Sequence, residues 1–195
     1  MAWVALRVAH GGVAATMMTN NNPAPTRVSA ANRGWVAAVN PYSTGRAMAP
    51  YIQSEIAFRG DTRSPATIAA AGGLWAHQAQ AVGTGGTAQQ RDPHTHQAGP
   101  GNTIYVSCSR DLGVAKGFAA GSYVYVFRVN AGVDYNRYAG GNAYQAEVMA
   151  VEGIRLEDII AVRDLSNGAI SINTNFQQAG MAQQQWNAAI TALAG

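Results

Sequence analysis

Three short stretches carry side chains able to do chemistry. In "NAYQAEVMAVEGI", residues 142–154, Gln145 and Glu147 stand two apart in a run that otherwise reads as an apolar β-strand. Alternation along a strand puts Gln145, Glu147, Met149 and Val151 on one side, and Ala146, Val148 and Ala150 on the other, the core side. A carboxylate held in such a strand keeps a fixed charge at low dielectric, where it can stabilise a developing cation. "FRGDTRSP", residues 58–65, places Arg59, Asp61 and Arg63 at every second position; the permanently charged fork of arginine suits a phosphate. "VSCS", residues 106–109, sets two hydroxyls and a thiol where a strand meets a helix. Taken singly, "FRGDTRSP" also reads as a solvated strand edge with an Asp–Arg pair, "VSCS" as a helix cap, and Gln145 with Glu147 as edge polarity.

Their order along the chain is more specific. An aromatic-Arg-x-Asp-x-Arg-x-Pro stretch leads into a helix closed by Gly72-Gly73; a Val-Ser-x-Ser strand end follows, and then Gln-x-Glu. This arrangement resembles the mono-ADP-ribosyltransferases of the cholera and pertussis toxin type, known for Arg, Ser-Thr-Ser and Glu-x-Glu motifs. The similar segments are residues 56–75, 104–119 and 143–163, about a third of the chain. The resemblance implies an α+β fold, a split antiparallel β-sandwich with short flanking helices. It also implies a reaction: cleavage of NAD at the nicotinamide–ribose bond and transfer of ADP-ribose to a macromolecular acceptor, with NAD as substrate and no metal.

Roles follow from the same resemblance. Glu147 faces the oxocarbenium-like sugar, as a carboxylate does in glycoside cleavage, and holds the ribose hydroxyl. Gln145 orients the incoming nucleophile. Ser107 hydrogen-bonds the glutamate and positions the nicotinamide ribose. Arg59 grips the pyrophosphate or the adenosine ribose, and Gly60, Asp61 and Ser109 complete the NAD site; Asp61 and Arg63 shape it and Ser109 supports the turn. Cys108 stands where the family has threonine, a mainly structural position. Gln145 stands where arginine-modifying members have glutamate. An amide cannot act as a base toward a guanidinium, so the acceptor expected is a protein Cys, Asn or Thr or a nucleic-acid base. A histidine often lies between the first two motifs; His77, His94 and His96 all fall in that interval. Two other readings of the residues are an NAD glycohydrolase using the same site and a non-catalytic binding module. The resemblance further implies a secreted toxin or effector, delivered into the target cytoplasm by another domain, subunit or secretion system and held off by an immunity protein.

The elements that must position these residues are short. Residues 55–63 read as a strand ending at Gly60, followed by a helix with Ser64 as N-cap and Pro65 at its first position. Residues 79–101 lack apolar period and read as a long loop of the functional kind; it includes "GTGG" at 83–86. Strands are expected over 102–109 and 122–130, with a short helix between them capped by Ser109 or Asp111 and ended by Gly121. "AGVDYNRYAGGN" reads as a loop, and Ser166-Asn167-Gly168 as the turn of a hairpin. Trp186, Ile190 and Leu193 form the apolar face of a helix in the tail, 177–194.

The 195 residues fit one catalytic domain spanning 1–195, with a weakly patterned part at 1–50 and a polar Asn/Pro loop at 19–26. At 48% hydrophobic residues the chain is not a disordered tail. Its one cysteine, Cys108, excludes an internal disulfide and gives no zinc signature. No apolar run approaches the roughly 18 residues of a membrane span. The apolar start is broken by Arg7, His10 and glycines and reads as part of the folded domain rather than a secretory leader. A formal charge of +3 permits an acidic or nucleic-acid partner without demanding one. No Gly-x-Gly-x-x-Gly follows a strand, which argues against NAD as a hydride carrier.

Overall fold

The computed structural model describes residues 2–9, 12–19, 51–52, 55–77, 87–139, 145–174, 176 and 182–195. The loop expected at 19–26 lies outside them from residue 20 on, as do "GTGG" at 83–86 and the start of the tail. In chain order the strands are β1 (Ala2–Ala9), β2 (Gly12–Thr19), β3 (Tyr51–Ile52), β4 (Glu55–Asp61), β5 (Gly73–Trp75), β6 (Tyr105–Ser109), β7 (Tyr123–Val129), β8 (Gly132–Asp134), β9 (Glu147–Val151), β10 (Gly153–Arg155), β11 (Ile159–Asp164) and β12 (Ile170–Asn173). The helices are α1 (Pro65–Ala70), α2 (Ala88–Arg91), α3 (Pro93–Ala98), α4 (Leu112–Phe118), α5 (Tyr135–Tyr138) and α6 (Gln183–Ala194). Among the described residues no helix is long and apolar enough to cross a membrane.

Strand pairing is antiparallel and follows the order β2-β1-β12-β11-β7-β4-β6-β9-β8-β3, with β10 and β5 forming a separate pair. Within this ladder β4 pairs along its whole length with β7, yet it meets β6 only at Phe58 opposite Ser109. That one contact divides the ladder into two leaves. Side-chain alternation closes them into a sandwich. Ala57, Tyr125 and Phe127 from one leaf share a buried cluster with Val106, Cys108, Val148 and Ala150 from the other. Val124 and Val126 turn outward under α4 and α6, where they meet Ala115, Ala119 and Leu193. Met149 and Val151 turn outward on the second leaf against Tyr105 and Val133. Each fully buried side chain of the Val, Ile or Phe kind contributes about 1.5–3 kcal/mol of transfer free energy.

Two arginines cross the divide, one on each side of the Phe58–Ser109 contact. Arg59 donates from Nη1 to the Ser107 carbonyl at 2.7 Å. Arg110 forks onto Glu55, with Nη2 to Oε2 at 3.0 Å, and also reaches Asp134 Oδ2 at 3.0 Å. Gly60 is required by close packing: a Cβ there would lie 2.1 Å from the Ala115 carbonyl oxygen and 2.3 Å from the Ala119 nitrogen, both in the backbone of the α4 segment.

Local chemistry explains the elements. Ser64 caps α1 by accepting from the Thr67 N–H, with Pro65 at the first position, and Gly72 leaves the helix at φ 72°. Asp111, rather than Ser109, is the N-cap of α4, accepting from the Gly113 and Val114 N–H groups. The Leu193 and Ala194 carbonyls at the end of α6 accept from Arg163 Nη1 at 3.0 and 2.9 Å.

Four expectations change. The weakly patterned start supplies β1 and β2, which pair with each other, and β1 adds to β12. The long loop at 79–101 carries helices in its described part: Thr87 and Gln90 close a capping box on α2, while Asp92 caps α3 with Pro93 at its start. Strong caps form these helices where apolar period is lacking. The loop expected after β7 holds β8 and α5, nucleated by Asp134 accepting from the Arg137 N–H. Finally, β9 begins at Glu147; Ala146 takes a left-handed φ of 46°, so Gln145 stands in a turn and not on the strand.

Candidate active site

Register brings the chemistry-bearing residues to the divide between the leaves. Ser109 pairs with Glu147 and Ser107 with Met149 across β6 and β9, so both serines and the glutamate lie on the Tyr105–Met149 face of the second leaf. Arg59 and Asp61 come from β4 of the first leaf. All of them line one cleft of about 950 Å³, together with Gly60 and Gln145. The volume stands at the upper end of the roughly 300–1,000 Å³ of ligand clefts. Phe118, 61% exposed, and Trp75 add aromatic surface to it.

Glu147 is buried, at 4% exposure. Burial pushes its carboxyl above the ordinary 4.5, and a hydrogen bond from the Ser107 hydroxyl pulls the other way. His96, also buried, bonds Ser107 Oγ through Nε2 at 2.7 Å and Thr103 Oγ1 through Nδ1; its Nε2 lies 4.0 Å from Glu147 Oε1. Burial and the Arg59 charge lower its pKa to about 4, so the ring is neutral near pH 7. Of the three histidines left open by the sequence, His96 is the one bonded to Ser107. His77 also lines the cleft, and His94 is exposed beside Tyr135. The Asp92-Pro93 cap signature that starts α3 could have pointed to His96.

Asp61 organises the arginines. It accepts from Arg63 at 2.8 and 2.7 Å and from Arg59 Nε at 3.2 Å. Burial opposes its charge, but the Arg63 hydrogen bonds and the charges of both arginines hold its pKa down at about 2. Arg59 is thus fixed by Asp61 and the Ser107 carbonyl and keeps further N–H groups for an anion. Ser109 Oγ donates to the Gln145 carbonyl at 2.7 Å and accepts from the Asp111 N–H at 3.0 Å. The next carbonyl, of Ala146, accepts from the Arg110 N–H at 3.2 Å. Two successive carbonyls therefore pin the turn that presents Gln145. Cys108 borders the cleft but belongs to the buried cluster between the leaves, its thiol pushed up to about 12 by burial. Among the described residues no three His, Cys, Asp or Glu side chains gather to hold a metal ion.

Scans of protein-family models and of curated proteins give no match to this chain. Solved structures do resemble it. The Scabin toxin from Streptomyces scabies, in complex with NADH, is similar at 23% identity over 82% of this chain and 98% of that one, with a TM-score of 0.56. A guanine-specific ADP-ribosyltransferase is similar at 23% identity over 65% of this chain and 81% of that one, with a TM-score of 0.53. A guanine-specific ADP-ribosyltransferase with NADH and GDP is similar at 22% identity over 65% and 81%, with a TM-score of 0.50. The fold is that of the ADP-ribosyltransferases.

Proposed function

We propose that this chain is an NAD-dependent mono-ADP-ribosyltransferase of the Gln-x-Glu subtype, the catalytic part of a toxin or effector, whose acceptor is a nucleic-acid base of the guanine kind. One observation carries the reading: Arg59, Ser107 and the buried Glu147 converge on a single cleft, at the divide of an ADP-ribosyltransferase fold. The cleft fits NAD by size and by charge, with arginines for a pyrophosphate and a carboxylate for a cationic sugar. The neighbours named for guanine specificity, one of them with NADH and GDP, support the acceptor class.

The chemistry is a displacement at the sugar carbon that bears nicotinamide. The carbon–nitrogen bond breaks and its electron pair leaves with nicotinamide, so positive charge spreads over the sugar carbon and ring oxygen. Glu147 opposes that charge with a carboxylate whose orientation is held through Ser107. Arg59, braced by Asp61, holds the pyrophosphate. A nitrogen of the acceptor base then bonds to the carbon and loses its proton. Gln145 offers an amide donor and acceptor together, the pattern that pairs with base edges, and its pinned turn fixes where that edge meets the sugar.

Incubation with NAD labelled in its ADP-ribose half and with cell lysate tests the reading. Label expected in macromolecules should be released by nuclease and survive protease. Release by protease instead would overturn the acceptor class, and free ADP-ribose alone would make the protein a glycohydrolase. Glu147→Ala should lower NAD consumption about 10²-fold or more, the scale of removing a key electrostatic group; wild-type consumption in that variant would refute the assignment.

A further inference from the structure

Outside the cleft, three rings gather at one exposed spot. His94 leaves the first turn of α3, and Tyr135 and Tyr138 stand at the two ends of α5. The His94 ring centre is 4.9 Å from that of Tyr138 and 5.9 Å, edge to face, from that of Tyr135. The two tyrosine rings stack at 6.2 Å with 27° between their planes. His94 is exposed and the tyrosines are partly so. None of the three lines the cleft. Their place is nevertheless next to the reaction. Asp134 pairs with Val148, so Tyr135 continues beside Glu147, whose charge is felt at the tyrosine hydroxyl. On α3, His96 reaches Ser107 from a position two residues beyond His94. Arg137, between the tyrosines, is 51% exposed and pairs with Asp134 at 3.2 Å.

Aromatic faces accept any nucleobase by stacking, and single-stranded polynucleotides are held this way alongside cationic groups. We propose that His94, Tyr135 and Tyr138 form a platform on which a base flanking the modified one stacks, so that the acceptor is engaged as a single strand. The proposal rests on the nucleic-acid reading of the acceptor given above.

The test uses a guanine-containing single-stranded oligonucleotide and free guanosine monophosphate as acceptors for the full chain. His94→Ala and Tyr138→Ala should each raise KM for the oligonucleotide about 5- to 100-fold, the scale of losing one stacked base. NAD hydrolysis and modification of the mononucleotide should stay at wild-type level, and Tyr138→Phe, which keeps the ring, should behave as wild type. Unchanged KM for the oligonucleotide in both alanine variants, or an equal loss on the mononucleotide, overturns the platform while leaving the acceptor class intact. A wild-type chain that labels only protein overturns both.

Discussion

The tautomer of His96 decides which way the hydrogen bonds around Glu147 run. If Ser107 donates to the carboxylate it must accept from His96 Nε2–H, and Nδ1 must then accept from the Thr103 hydroxyl. This needs a neutral ring, and burial with the nearby Arg59 charge keeps it neutral down to about pH 4. The unfolded chain takes up that proton near the ordinary 6.5, so stability falls as pH drops from about 6.5 toward 4, by on the order of 3 kcal/mol from this group. Glu147 acts in the opposite sense: its raised pKa gives stability that is present below 4.5 and lost as pH rises through the folded value. Denaturant midpoints at pH 7 and 4.5 should therefore drop more in the wild type than in His96→Gln, and an equal drop would contradict this account. On the proposed roles, the serines should separate two steps. Ser107→Ala should lower hydrolysis and transfer together by about 10- to 100-fold, since a hydrogen bond to a charged group is lost. Ser109→Ala should shift the ratio of transfer to hydrolysis several-fold toward hydrolysis, because it frees the Gln145 carbonyl; product analysis from labelled NAD reads both. That Arg59, Ser107 and Glu147 come together was legible in the sequence as a motif order. That Gln145 stands in a turn was not, since only the backbone of Ala146 takes it off the strand.

At the scale of elements, strands were legible wherever β-branched residues alternate, as in β7 and the β11–β12 hairpin. Helices without an apolar stripe were not: α2, α3 and α5 have four to six residues and are held by caps, by hydrogen bonds linking α2 and α3 to β6, and by packing of α5 on β9. Tyr105, for example, donates its hydroxyl to the Arg91 carbonyl at the end of α2. The packing of α4 on β4 is more demanding than its sequence suggests. Gly60→Ala drives a methyl into helix backbone, which cannot rotate aside as a side chain can. Overpacking of this kind costs about 1–3 kcal/mol, and at roughly 2–4 °C per kcal/mol a thermal melt should fall by about 2–12 °C. A melt within 1 °C of wild type would show that α4 can shift without cost.

For the whole molecule, the groups proposed to bind and cleave NAD belong to different leaves: Arg59 to the first, Ser107 and Glu147 to the second. A ligand gripped at both ends ties the leaves together. NAD at 100 times its Kd should add about 2.7 kcal/mol of stability, and hydrogen exchange should slow most at residues 55–61 and 105–109, on either side of the divide. Uniform slowing would mean that NAD does not bridge the leaves. The joint itself has a thermal consequence. Each leaf keeps its own continuous ladder, whereas β4 and β6 share one backbone pairing and the Arg59 and Arg110 contacts. A weld so short can slip while both plates stay whole, and a slip of about 1 Å is enough to cost a catalyst roughly 10²-fold. Warming should therefore silence NAD cleavage several degrees before the circular dichroism of the strands is lost, with activity returning on cooling.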